Sequence, residues 1–198
     1  MKRDAVFAFS YAGVVGQVLV VLMLIIGVLA LVGVRGPLDA VRRWLWGYEL
    51  WAGFIVASIA TGGSLYYSLV MQYQPCELCW YQRICMYPLS ILLLLMAIRA
   101  DNRAARYLFP LPIVGAGVSI YHMLIQYHAI TEPTACQISA PGSGCSFNWI
   151  GTPALNASLG YLAIPTLALT GFLLLIGFLI LATAEAGDAA TLPADAER

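Results

Sequence analysis

Two pairs of cysteines are the residues of this chain best suited to do chemistry. The first stands in Gln74-Pro75-Cys76-Glu77-Leu78-Cys79-Trp80-Tyr81-Gln82-Arg83. The second is Cys136 and Cys145, with Pro141, Gly142 and Gly144 between them. A C-x-x-C spacing brings two sulfurs within one helical turn, which suits dithiol redox exchange and also zinc ligation. A disulfide there closes a very small loop and stabilises little, so redox chemistry is a better reason for it than stapling. The Pro/Gly turn lets Cys136 and Cys145 meet, and for that pair a structural staple is an equal reading. Arg83 follows Cys79 by four residues and so shares its helical face about one turn on. A guanidinium there can stabilise a thiolate or hold a quinone carbonyl. The plainer alternative is an arginine snorkelling to lipid headgroups.

The elements that must position these groups are membrane spans. The 198 residues are 61% hydrophobic and 10% charged, with zero formal net charge, and the mean hydropathy is +0.83. Soluble domains carry about 25% charged residues, so this chain cannot cover a water-facing surface. A disordered chain needs the opposite composition, and nucleic acid needs a basic stripe that is absent here. Crossing about 30 Å of hydrocarbon takes about 20 mostly apolar residues. Five segments qualify: Tyr11–Val34, Leu50–Val70, Trp80–Ile98, Tyr107–Ile130 and Gly160–Ala182. The expected fold is an all-α membrane protein of five transmembrane helices within residues 1–184. The Ala-, Asp- and Glu-rich residues 185–198 are expected to be a disordered cytoplasmic tail.

Charge sets the expected orientation. Arg35, Arg42, Arg43, Arg99, Arg103, Arg106 and Arg198 fall on one side of five spans; Lys2, Arg3 and Arg83 fall on the other. The positive-inside bias makes the first side cytoplasmic. The N-terminus is then outside, the C-terminus inside, and the loops Met71–Cys79 and Thr131–Leu159 both face outward. A signal-peptide reading of the first span fails on length, since an apolar h-region is about 7–15 residues. Outside the cytoplasm, thiols meet an oxidising environment. The helix opening near Trp80 points its N-terminus outward, where its partial positive charge lowers a thiol pKa. Cys79 is expected to gain most, being nearer the first turn. Glu77 is expected to raise both cysteines by like-charge repulsion.

Other polar residues have narrower readings. His122 is a hydrogen-bonded residue inside the bundle, a donor to a quinone oxygen or a proton relay. His128 reads as interfacial, as do Phe147, Trp149 and Ile150. Cys85 reads as a small packing residue. Three function classes compete: a thiol:quinone oxidoreductase, a metal-binding or metal-transporting protein using all four loop cysteines, and a structural subunit stapled by disulfides.

These motifs resemble the bacterial disulfide bond formation protein B family, in its Gram-positive type with a closely spaced second pair. The resemblance rests on Gln74-Pro75-Cys76-x-x-Cys79-x-Tyr81-x-Arg83 at a span start and on the second cysteine pair. It rests also on Leu159-Gly160-Tyr161-Leu162-Ala163-Ile164-Pro165-Thr166-Leu167 at the head of the last span. It covers about Leu50 to Leu181. It implies a four-helix bundle, here spans 2 to 5, with the first span as an extra N-terminal helix. It implies a bacterial inner-membrane enzyme that reoxidises an extracytoplasmic thioredoxin-fold oxidase and reduces ubiquinone or menaquinone. By that resemblance Cys136 takes the partner, Cys145 exchanges with Cys76, Cys79 contacts the quinone, and Arg83 and His122 flank it. No resident metal is implied. A vitamin K epoxide reductase-like enzyme is a chemical rival, but its C-x-x-C is expected late in the bundle.

Overall fold

The computed structural model describes residues 2–131, 133, 136, 144–146 and 161–191. It contains α1 (Lys2–Leu31), α2 (Gly36–Leu45), α3 (Glu49–Leu69), α4 (Glu77–Arg99), α5 (Pro110–Gln126) and α6 (Ile164–Thr191). A 3-10 turn, Ala104–Leu108, leads into α5. Five segments are long and apolar enough to cross a membrane: Val6–Leu31, Glu49–Leu69, Glu77–Arg99, Ala104–Gln126 and Ile164–Gly187. Leu24, Val28, Ile55, Ile91, Ile98, Ile113 and Ile180 lie exposed on their outer faces. Lipid, not water, covers an apolar belt of that extent. The protein is an all-α membrane protein.

Helix α3 packs against α4 and α6, and α5 packs against the same two, so these four close a bundle. Its centre holds Leu89, Leu93, Phe172, Leu175 and Leu179. Small residues set the helix spacing, as interfaces in lipid require close backbone approach. A side chain at Gly115 would run into the Phe172 ring. Leu89 has no exposed surface, and Leu89→Ala is expected to cost about 2–5 kcal/mol by leaving a void. A lowered midpoint of detergent-induced unfolding would read this out.

Helix α1 lies along α6, outside the four-helix ring. A Cβ at Gly16 would sit 3.0 Å from Thr170 Cγ2. Near the N-terminal end of α1, the Phe9 ring meets Tyr66 and Tyr67 with centroids 5.7 and 5.9 Å away. Gln17, the polar break in this span, accepts a 3.0 Å hydrogen bond from Tyr161 Oη through Oε1.

Several boundaries differ from expectation. Helix α4 begins at Glu77, not Trp80, because Cys76 caps it. Helix α5 ends at Gln126, not Ile130. His128 takes a left-handed φ of 56°, and the Ala129 and His128 N–H groups return to Leu124 and Ile125 carbonyls at 2.8 and 3.0 Å. That pattern closes a helix C-terminus. Helix α6 begins at Ile164, not Gly160, and continues to Thr191. The expected disorder is therefore corrected for Glu185–Thr191, where the alanines favour helix; residues 192–198 lie outside the described residues. Helix α2 was not expected. It has no buried residue, and Arg42 and Arg43 sit in its last turn, the composition of a helix lying at a membrane surface. The expected turn at Pro141 and Gly142, and Phe147, Trp149 and Ile150, fall outside the described residues.

The bundle has two unlike ends. Asn102 Nδ2 donates to Glu185 Oε2 at 2.9 Å, so the α4–α5 connection with Arg99, Arg103 and Arg106 meets the C-terminal part of α6. The cysteine pairs gather at the opposite end.

Candidate functional site

Tyr73 sets the approach to the first cysteine pair. Its ring stacks on Tyr67 at 6.0 Å with an interplanar angle of 6°, and its N–H donates to the Tyr67 carbonyl at 3.0 Å. Pro75 follows, and Cys76 then stands in extended backbone (φ −69°, ψ 170°) as the N-cap of α4. Its sulfur accepts from the Cys79 N–H at 3.3 Å, the role usually filled by serine or aspartate. The two sulfurs lie 2.8 Å apart. Cys76 is buried, whereas Cys79 is partly exposed.

The expectation that Cys79 gains most from the helix terminus is therefore corrected. The capping position belongs to Cys76 because α4 starts one turn earlier. The Cys79 thiol, with help from His122 and the Cys79 N–H, brings the Cys76 pKa down to about 5 against the effect of burial. The expected rise from Glu77 does not prevail at Cys76. The Glu77 carboxylate accepts from Tyr81 Oη at 3.3 Å on the exposed side of the helix.

Helix α5 brings the second pair to the first. Cys136 and Cys145 form a disulfide, and both are buried. His122 Nε2 lies 3.1 Å from the Cys145 carbonyl oxygen and 3.6 Å from Cys76 Sγ. Gln126 Nε2 donates to the Ser146 carbonyl at 3.2 Å. Two side chains one turn apart thus hold the backbone around Cys145. Gln82 Nε2 lies 3.2 Å from Ser119 Oγ and 3.4 Å from His122 Nδ1. A Gln82 amide donating to Nδ1 leaves the imidazole proton on Nε2, facing Cys145 and Cys76. Sequence reasoning missed Gln82, Ser119 and Gln126. Their signal was the 119, 122, 126 spacing of polar residues along one face of an apolar span.

Arg83 turns inward rather than snorkelling outward. Its Nε donates to Ser64 Oγ at 3.0 Å and its Nη2 to the Ser64 carbonyl at 3.2 Å, with a further bond from Nη2 to Ser68 Oγ. Its guanidinium also lies 5.2 Å from the Trp80 ring centroid. Ser64 and Ser68, one turn apart on α3, are the partners the sequence did not announce. Cys85 is buried beside Met86 and Leu89, as a packing residue, and His128 is exposed past the end of α5.

Cys76, Cys79, Arg83, His122 and Cys145 line one cavity of about 420 Å³. Cys76 Sγ, a His122 ring nitrogen and Cys145 Sγ all lie within 4.8 Å of one another. That trio has the residue types of a metal site. Its third sulfur is bonded to Cys136, and a disulfide sulfur is not the thiolate that zinc binds. The same proximity suits sulfur-to-sulfur exchange.

The family model for "Disulfide bond formation protein DsbB" matches residues 42–184. The chain belongs to the DsbB family. It is 40% identical over 140 residues to disulfide bond formation protein C of Bacillus subtilis, covering 70% of this chain and 95% of that protein. It is 39% identical over 127 residues to probable disulfide formation protein C 1 of Bacillus anthracis, covering 64% and 85%. A probable disulfide formation protein of Coxiella burnetii is 38% identical over 144 residues, covering 72% and 92%. No solved structure matches significantly. As a DsbB-family chain with five spanning helices, this is a disulfide-forming membrane oxidoreductase. The matched region begins within α2, so α1 lies outside the DsbB family unit.

Proposed function

We propose that this chain is a protein-dithiol:quinone oxidoreductase of the bacterial inner membrane. It reoxidises an extracytoplasmic thioredoxin-fold oxidase and passes the electrons to ubiquinone or menaquinone. The observation that carries this reading is the position of Cys76. Its sulfur is 2.8 Å from Cys79 Sγ and within 4.8 Å of Cys145 Sγ, so one atom serves both pairs. The Arg-rich end of the bundle faces the cytoplasm under the positive-inside bias, and the cysteines face the oxidising side, where disulfides persist.

The exchange proceeds by thiolate attack on disulfide sulfur. A partner thiolate attacks Cys136 of the Cys136–Cys145 disulfide and expels Cys145 as thiolate. Cys145 attacks Cys76 of the Cys76–Cys79 disulfide and expels Cys79. The partner's second thiolate resolves its bond to Cys136 and leaves oxidised. Cys136 then attacks Cys145, restoring the Cys136–Cys145 disulfide and releasing Cys76. The result is one oxidised partner and one Cys76/Cys79 dithiol. His122 holds the Cys145 backbone for the second step and stabilises negative charge on Cys76 in the last.

The residues present fit a quinone. The cavity has the size of a small-molecule site, about 300–1,000 Å³. Tyr67 lines it, and its hydroxyl is buried without a hydrogen-bond partner among the described residues; a carbonyl oxygen brought up to it would satisfy it. Arg83 and Tyr67 would hold the quinone beside Cys79. A quinone held there would accept the two electrons of the Cys76/Cys79 pair together with two protons, at least one of them from solvent where Cys76 is a thiolate, and would leave as quinol.

The deciding experiment mixes purified, reduced protein with quinone in the absence of any partner. The expected result is one quinol for every two alkylatable thiols lost. No quinol, together with stoichiometric bound zinc, would overturn the reading in favour of a metal protein. Arg83→Ala should raise the quinone KM about tenfold or more, the scale of one lost charged hydrogen bond. An unchanged KM would reduce Arg83 to a link between α3 and α4.

A further inference from the structure

We infer that α1, the helix outside the family unit, completes the acceptor site by forming one wall of a channel for the isoprenoid tail of the quinone. This rests on the proposed quinone reaction and extends it to a part of the chain that reaction does not require. The cavity is longer than a ring. Its α1 wall runs from Phe9 to Leu19, its α3 wall from Ser68 to Val56, and its α6 wall from Ile164 to Leu174. At 1.5 Å per residue these are depths of about 15–18 Å.

Polarity changes along that depth. The outer half carries the thiols, Arg83, Tyr67 and His122. Helix α5 contributes no residue deeper than His122, and on α4 the lining ends at Tyr87. The inner half is left to α1, α3 and α6, with Val15, Leu19, Val56, Ile59 and Leu174 on its walls. An amphiphile with a polar ring and a hydrocarbon tail matches both halves, whereas a ring alone fills only the outer one. Within α1, the wall residues Phe9, Ala12, Val15 and Leu19 recur at intervals of three and four, so they form one face. The contacts of Phe9 with Tyr66 and Tyr67 and of Gln17 with Tyr161 hold that face against the bundle.

The test uses the full chain and two quinones with the same ring, one bearing an isoprenoid tail and one without it. At equal mole fraction in the detergent phase, the unaltered protein should show both a Kd, read by equilibrium binding to the oxidised protein, and a KM at least about fivefold lower for the tailed quinone, the gain coming from close packing of the tail against the channel walls. Val15→Phe and Leu19→Trp narrow the inner half of the channel. Each should raise the tailed-quinone KM about fivefold or more and leave the tail-less KM within twofold, which also shows that the site remains folded. Val18→Phe, on α1 but outside the cavity lining, should change neither. Equal KM values for the two quinones in the unaltered protein would overturn the inference. So would channel variants with unchanged kinetics, or a Val18→Phe effect as large as theirs. Failure of the unaltered protein to reduce either quinone would instead overturn the proposed reaction.

Discussion

Cys79→Ser is expected to abolish quinol formation, a loss of at least about a thousandfold, as for removal of any single essential nucleophile, while Cys136 still captures the partner. The asymmetry comes from geometry. Cys79 is the more exposed member of its pair and lines the cavity, so in the proposed reaction its loss removes the electron donor to the quinone. The Cys136–Cys145 disulfide does not include it. Partner attack therefore remains possible, but its electrons stop at a Cys136/Cys145 dithiol, which should accumulate because Cys145 has no Cys76–Cys79 disulfide to attack. Non-reducing electrophoresis after thiol alkylation reads the stalled dithiol, and quinol absorbance reads the turnover. Full turnover in Cys79→Ser would transfer its role to Cys76, the other thiol of that pair.

His122→Ala is expected to move the pH dependence of quinol formation by the reduced protein to higher pH. The Cys79 thiol and His122 both favour the thiolate of Cys76, whose pKa lies at about 5. Above that pH the dithiol carries the thiolate that closes the Cys76–Cys79 disulfide as the quinone is reduced; below it, protonation removes it. Without His122 the midpoint should rise by on the order of one unit, so quinol formation falls most on the acid side of neutrality. The sign for stability follows the same shift. A depressed thiol pKa stabilises the reduced fold fully above the unfolded value of about 8.5, and that contribution is lost as pH falls through about 5. His122 also holds the Cys145 carbonyl at 3.1 Å. Loss of that contact scales the rate equally at every pH, whereas loss of the charge effect shifts the midpoint. A pH–rate profile separates the two, and His122→Gln, which keeps a donor, should restore part of the pH-independent component. An unmoved midpoint would show that His122 does not act on Cys76.

The spans were legible because apolar length over about 20 residues is a local property that the bilayer makes compulsory. Their ends were less legible, because helix termini depend on caps. Cys76 reads in sequence as half of a C-x-x-C pair, yet its sulfur also closes the first turn of α4, which moves the start three residues upstream. His128 ends α5 by taking a left-handed conformation that residue type alone does not require.

The cysteine pairs and Arg83 stood out because their residue types and spacings are rare in an apolar chain. Their partners did not. Ser64 and Ser68 look like ordinary small residues of a packed span until α3 and α4 meet and both receive Arg83. Gln82 and Gln126 acquire their roles only when α5 approaches α4 and the second loop returns to it.

By itself, then, the sequence determined an all-helical membrane chain, four loop cysteines able to exchange, and an arginine beside one pair. Composition, hydrophobic length and residue spacing are properties of the unfolded string. Only the tertiary structure decided that Cys76 rather than Cys79 is the capping and buried thiol, that Cys76 lies within reach of the Cys79 and Cys145 sulfurs, and that α1 borders the same cavity. Each of these depends on contacts between segments far apart in sequence: α4 with α5, the second loop with His122, and α1 with α3 and α6. Such contacts exist only after the helices have packed.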